Sequence, residues 1–148
     1  MINKKIKIAV VFGSRSVEHE VSIITAMQVF ENINREKYDI IPVYIDKMGR
    51  WLVGDKLQKI ENLKNFPPRA DEYIFEASPS SKVLAPKSSL KFFRSIKADI
   101  YFPLIHGTYG EDGTIQGMFE MADVPYIGSG VTGSAVGMDK IIQKSVFK

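Results

Sequence analysis

Residues 6–12 read Ile-Lys-Ile-Ala-Val-Val-Phe (IKIAVVF), and Gly13 ends the run. A β-branched stretch with almost no polar interruption is typical of a strand covered on both faces, as in a parallel sheet flanked by helices. Just downstream, Ile23, Met27, Phe30 and Ile33 recur at near-helical spacing with polar residues between them. Ser16 stands where that helix would be N-capped. Strand, glycine turn and helix in this order open an α/β fold.

The same alternation extends outward. Residues 38–45 (YDIIPVYI) predict a second strand, with Pro42 placing it at an edge or making it locally irregular, because proline cannot donate to a ladder. Residues 46–54 (DKMGRWLVG) predict a hairpin turn around Gly49 leading into Trp51-Leu52-Val53. Within 54–97, LQKIENLK predicts a short helix, and prolines and serines among alternating apolar residues predict short antiparallel strands and loops. That stretch reads as an insertion on the core. Residues 98–106 (ADIYFPLIH) predict a strand ending at His106, and Ile115, Met118, Phe119 and Ala122 a helix after it. VPYIG (124–128) predicts a further strand, and Ala135, Met138, Ile142 and Val146 a final helical stripe. The expected fold is α/β: an open, mostly parallel, Rossmann-like sheet flanked by helices, with a small β-rich insertion.

With 148 residues, 45% of them hydrophobic, the chain can bury a core without staples. The absence of cysteine removes disulfides, zinc–thiolate sites and thiol chemistry, and fits a reducing compartment. No apolar run reaches the length of a membrane span, and residues 8–12 are too short for a signal-peptide core, so a cytoplasmic location is expected. A net charge of +3 from scattered lysines forms no basic stripe, and no nucleic-acid partner is expected.

Three glycine-rich loops leave predicted strands at their carboxyl ends, where open α/β sheets bind ligands: 13–20, 106–113 and 128–133. The last contains Gly128-Ser-Gly130-Val-Thr-Gly133, a literal G-x-G-x-x-G. A dinucleotide site also needs a second strand with an acidic residue about 20 positions on. Here the 15 residues after Gly133 continue a helical pattern, which argues against an NAD(P) or flavin oxidoreductase. Serines 14, 16, 129 and 134 lack the G-x-S-x-G elbow of a hydrolase. Two histidines and no cysteine make a metal site unexpected. Glu18 either complements a helix dipole or holds an ammonium group, with His19 facing solvent beside it. His106, at a strand end, either stabilises charge in the crevice or is satisfied by loop carbonyls. Glu111 and Asp112 favour a helix start, Asp112 as N-cap.

Taken together, VFGSRSVEHEVS (11–22), PLIHGTYGEDGTIQGMFE (103–120) and VPYIGSGVTGSAVGMDK (124–140) resemble the amino-terminal part of D-alanine–D-alanine ligases. IPVYIDKMGRWLVG (41–54) resembles the longer-form members, which carry an insertion here. The resemblance covers nearly the whole chain, loosely at 54–97, and H-G-x-x-G-E-D-G-x-x-Q-G is its most specific block. Ser14 departs from it, standing where the family usually has a second glycine. The resemblance implies an ATP-grasp ligase of peptidoglycan synthesis. ATP phosphorylates one D-alanine carboxylate, the amine of a second attacks the acyl phosphate, and a tetrahedral intermediate collapses to the dipeptide. It implies residues 1–133 as the amino-terminal substrate domain and 134–148 as the opening helix of the ATP-grasp central domain. Glu18 would bind the ammonium of the first D-alanine, Val21 contact its methyl group, and His106 lie near the reacting carboxylate. Lys140 would reach the ATP phosphates, and residues 128–133 would be a hinge-like connection. Magnesium ligands are expected in later segments, so the 148 residues alone should not turn over, and a homodimer is expected. Related ligases making D-alanyl–D-lactate or D-alanyl–D-serine share these motifs. A non-catalytic binding or dimerisation module is the alternative of another class.

Overall fold

In the computed structural model, residues 4–64, 70–88 and 94–148 are described. Among them six strands form one sheet: β1 (Ile6–Gly13), β2 (Tyr38–Ile45), β3 (Trp51–Val53), β4 (Asp71–Phe75), β5 (Leu84–Pro86) and β6 (Ile100–Pro103). Their order across the sheet is β5-β4-β3-β2-β1-β6. The helices are α1 (His19–Asn32), α2 (Thr114–Met121), α3 (Val131–Met138) and α4 (Lys140–Val146). β1 pairs in parallel with both β2 and β6, as the apolar run 6–12 predicts. Alternate side chains of β1 leave on opposite faces. Ile8, Val10 and Phe12 pack with Ala26 and Phe30 of α1. Ala9 and Val11 belong to a second cluster with Tyr101, Ile115 and Phe119, under α2. Two buried faces on one strand explain why its sequence does not alternate.

The parallel part is the centre. The insertion continues the same sheet through antiparallel β3, β4 and β5, so the sheet as a whole is mixed. The hairpin at Gly49 forms as expected, with Gly49 N–H donating to the Asp46 carbonyl at 2.9 Å. Antiparallel strands at 71–75 and 84–86 agree with the reading of 54–97. Residues 65–69 and 89–93 of that stretch lie outside the described residues.

Several expectations are corrected. β2 lies inside the sheet, with Pro42 opposite Val10. β3 pairs only with Val43–Ile45, so at Pro42 the far side of β2 has no ladder partner and a residue without N–H is tolerated. The helix read at LQKIENLK is two 3-10 turns, Asp55–Gln58 and Ile60–Asn62. β6 stops at Pro103, three residues before His106. VPYIG shrinks to a single parallel bridge, Tyr126 beside Tyr101. The final stripe is two helices, because Asp139 interrupts it. Its carboxylate accepts from the backbone N–H groups of Ile141 and Ile142, the role aspartate favours at a helix start. That stripe is not buried: Met138 is 41%, Ile142 47% and Val146 61% exposed. No helix among the described residues is long and apolar enough to cross a membrane.

Candidate functional site

The parallel strands bring the carboxyl ends of β1 and β6 side by side. From β1 the chain enters the turn 14–18, where Ser14 takes φ +87°, in the left-handed region. This is the conformation for which a glycine would be the ordinary choice. The turn is held by Ser14 N–H donating to Ile45 O at 2.6 Å and Ser16 N–H to Ser14 Oγ at 3.2 Å. Ser16 Oγ accepts from Glu18 N–H at 3.1 Å, but the residue at the helix N-cap is Glu18, not Ser16 as read from sequence. The expectation that His19 faces solvent is also wrong. Its ring is buried, with Nδ1 2.5 Å from the Ser14 carbonyl and Nε2 2.9 Å from the Tyr44 hydroxyl. A ring with two polar partners inside the protein loses little on burial. Burial pushes the Tyr44 hydroxyl up to about 12, so it stays protonated and can donate to His19.

One turn along α1, Ser22 ties the two strand ends together. Its buried hydroxyl donates to Leu104 O at 2.6 Å and accepts from Gly13 N–H at 2.7 Å. Ser22→Ala leaves a buried donor and a buried acceptor without partners. A loss of about 2–3 kcal/mol is expected, measured as a shift in the urea midpoint at unchanged slope.

Beyond β6, the loop 104–113 meets this turn. A Cβ on Gly107, which has φ +68°, would lie 2.9 Å from Ser16 Oγ and 3.1 Å from Glu18 Oε1. Glycine therefore lets the Glu18 carboxylate sit against the residue next to His106. His106 Nε2 is 2.9 Å from Thr25 Oγ1, which also donates to Val21 O at 3.1 Å. Glu111 Oε2 accepts from Gly107 N–H at 2.9 Å, and its Oε1 is 4.0 Å from His106 Nδ1. Asp112 accepts from the N–H groups of Tyr109 and Thr114. Burial alone would raise its carboxyl, but these hydrogen bonds outweigh it and hold it below the usual carboxylate value. The N-cap position itself is Gly113, at φ +90°, one residue after the expected Asp112. Arg15 lies over the Tyr109 ring, 4.8 Å from its centroid, a further tie between the loops.

A cleft of about 450 Å³ opens here, lined among others by Thr25, His106, Glu111, Gln116, Ser129 and Ser134. The second and third glycine-rich loops thus share one crevice, while no residue of the first, 13–20, lines it. Gln116 donates to Gly110 O at 2.7 Å and leaves its buried Oε1 without a partner. Gly128 and Gly130 precede α3, but Gly133 lies inside it, so the turn read over 128–133 is shorter than expected. Val21 is 46% exposed on α1. Lys140 is exposed at the start of α4 and does not line this cleft. Sequence reasoning missed Thr25, Ser22 and Gln116. Ser22 and Gln116 stand inside the matched motifs without a role, and Thr25 carries no signal beyond its place on α1.

The arrangement offers an exposed carboxylate and an imidazole on neighbouring loops. That suits a small zwitterion, whose ammonium would meet Glu18 and whose carboxylate would turn towards His106. Among the described residues no three His, Asp or Glu side chains converge as a metal ion requires.

The chain matches a family model described as D-ala D-ala ligase N-terminus over residues 7–129. It is 42% identical to a D-alanine–D-alanine ligase of Chloroherpeton thalassium, with 99% of this chain and 41% of that one covered. It is 41% identical to one of Bacillus pumilus, with 97% and 39% covered. Among solved structures, the VanG D-Ala:D-Ser ligase of Enterococcus faecalis is similar at a TM-score of 0.82 and 37% identity, with 97% and 41% covered. The D-alanine–D-alanine ligase of Coxiella burnetii is similar at 0.82 and 34%, with 97% and 40% covered. The chain spans about two fifths of the length of the curated relatives it matches.

Proposed function

Because the chain belongs to the D-alanine–D-alanine ligase amino-terminal family, we propose that it holds the first D-alanine in an ATP-dependent ligase that makes D-alanyl–D-alanine for peptidoglycan. The observation that carries this is the Glu18 carboxylate lodged against Gly107, beside His106, at the carboxyl edge of the parallel strands. Glu18 accepts hydrogen bonds from the ammonium group, which fixes the substrate so that its carboxylate faces the phosphate donor. Val21, one turn along α1, contacts the methyl group. The Thr25 hydroxyl proton is used on Val21 O, so Thr25 accepts from His106 Nε2–H. The His106 ring then lies near the reacting carboxylate, where it helps to stabilise developing negative charge. Lys140 reaches the ATP phosphates as a point charge. Residues 1–133 act as the substrate domain and 134–148 open the ATP-grasp domain, with 128–130, which lead into α3, as the connection. The exposed apolar side chains of Ile141 and Phe147 support a surface made to be covered. Magnesium belongs to this chemistry as a neutraliser of phosphate charge, held by residues other than those described. A cytoplasmic homodimer completes the reading, the lack of cysteine fitting a reducing compartment.

A second reading takes D-serine as the second substrate, since the VanG D-Ala:D-Ser ligase is as similar in structure as a D-alanine–D-alanine ligase. The test is phosphate release with ATP, magnesium and D-alanine, with and without D-serine. The full-length gene product should release phosphate in response to D-alanine, and the 148 residues alone should stay at background. Failure of the first sinks the ligase assignment, and turnover by the 148 residues sinks the division of labour. Stimulation by D-serine, with a mixed dipeptide as product, selects the second reading.

A further inference from the structure

We infer that His19 is a positioning residue: through Nδ1 it clamps the Ser14 carbonyl and so fixes the turn that presents Glu18 over Gly107. The inference rests on the reading of Glu18 as the ammonium-binding group.

His19 is 2% exposed and is used by no step of the proposed chemistry. It follows Glu18 in sequence, yet the two side chains go opposite ways. Glu18 reaches Gly107 at the rim, and His19 folds back beneath the turn. Tyr44, protonated, donates to Nε2, so the ring proton sits on Nδ1 and is given to Ser14 O. The carbonyl it grips belongs to the one non-glycine residue of the turn in the left-handed region. Such a conformation persists only where surrounding contacts over-determine it. Ser14 N–H is held by Ile45 O, but its carbonyl is held by His19. Without that bond the peptide after Ser14 keeps only the ties of Ser16 N–H to Ser14 Oγ and of Glu18 N–H to Ser16 Oγ, and the residues leading to Glu18 are held less firmly. The packing of His19 on Tyr44, rings 5.5 Å apart, fixes the imidazole so that the clamp is rigid.

Two substitutions separate the clamp from mere filling. An asparagine amide reaches where Nδ1 stands, and a glutamine amide where Nε2 stands. His19→Asn keeps the bond to Ser14 O and gives up Tyr44. His19→Gln does the reverse. Both are to be made in the full-length gene product, with Glu18→Gln alongside and folding checked by circular dichroism. The expected result is a KM for D-alanine raised by about tenfold or more in His19→Gln and within about threefold of the parent in His19→Asn, with kcat for both within about threefold. Amide hydrogen exchange of Ser16 and Glu18 should quicken by about tenfold in His19→Gln and stay near the parent in His19→Asn. Equal KM values in the two variants, or effects that simply follow their melting temperatures, overturn the inference. If Glu18→Gln leaves the KM unchanged, the ammonium reading fails instead. The exchange rates then decide on their own whether His19 holds the turn, with no difference between the two variants counting against it.

Discussion

Glu18→Gln lowers kcat/KM for D-alanine by about 10- to 100-fold in the full-length gene product, with the KM for ATP unchanged. The range follows from exchanging a charge-assisted hydrogen bond for a neutral one, about 1.5–3 kcal/mol. Glutamine keeps the length and one oxygen, so the fold should not register the change. Glu18 is exposed, its carboxylate makes no hydrogen bond among the described residues, and no side-chain cap depends on it. That isolates the effect in the substrate. The dipole alternative predicts something else: a stability loss of a few tenths to 1 kcal/mol and unchanged kinetics, because an acidic residue at a helix start acts on the helix alone. Steady-state kinetics over D-alanine concentration, paired with urea unfolding, separates the two. A stability change without a kinetic one would return Glu18 to a structural role and remove the main support for the D-alanine site.

The residues that gave the fold away are those whose sequence pattern has a single physical cause. IKIAVVF is apolar throughout because both faces of β1 are covered. The stripe Ile115, Met118, Phe119 packs as drawn because α2 has one face on the sheet. Errors arose where tertiary pairing overrides local preference. Pro42 reads as an edge or a local irregularity, and only the short reach of β3, which leaves Pro42 unpaired on one side, selects the second. Ala135 to Val146 reads as one amphipathic helix, and the capping aspartate inside it was passed over. At the site, Glu18 stood out by its place at a helix start and His106 by its place after an apolar run, and the roles proposed for them come from the resemblance. Their closeness was not, since it depends on a strand order that places β6 beside β1 across more than eighty residues of chain. His19 was misread for a related reason. A histidine between two glutamates looks solvated, and nothing in the sequence shows Tyr44 arriving beside it from β2.

Gly13→Ala is expected to be the most damaging single substitution in the strand-to-helix turn, at about 3–5 kcal/mol. Two costs add. Gly13 has φ +90°, and a non-glycine residue held there costs about 1–3 kcal/mol. The added Cβ would also stand 2.3 Å from Ile45 O and 2.8 Å from the Tyr44 ring. A carbonyl in a paired strand cannot swing away as a surface side chain can, so β1 and β2 must separate locally. That is overpacking, worth a further 1–3 kcal/mol or so. Separation also draws Ile45 O from Ser14 N–H and Tyr44 from His19, so the damage spreads into the turn that carries Glu18. Gly117→Ala is the control. Gly117 lies inside α2 with nothing within 4 Å of an added Cβ, and alanine there should stabilise by about 0.5–1 kcal/mol. Urea unfolding of both variants at equal slope reads the difference directly. A Gly13→Ala loss below about 1 kcal/mol would mean that the end of β1 does not approach Ile45 this closely, and the positions assigned to Ser14, His19 and Glu18 would fall with it.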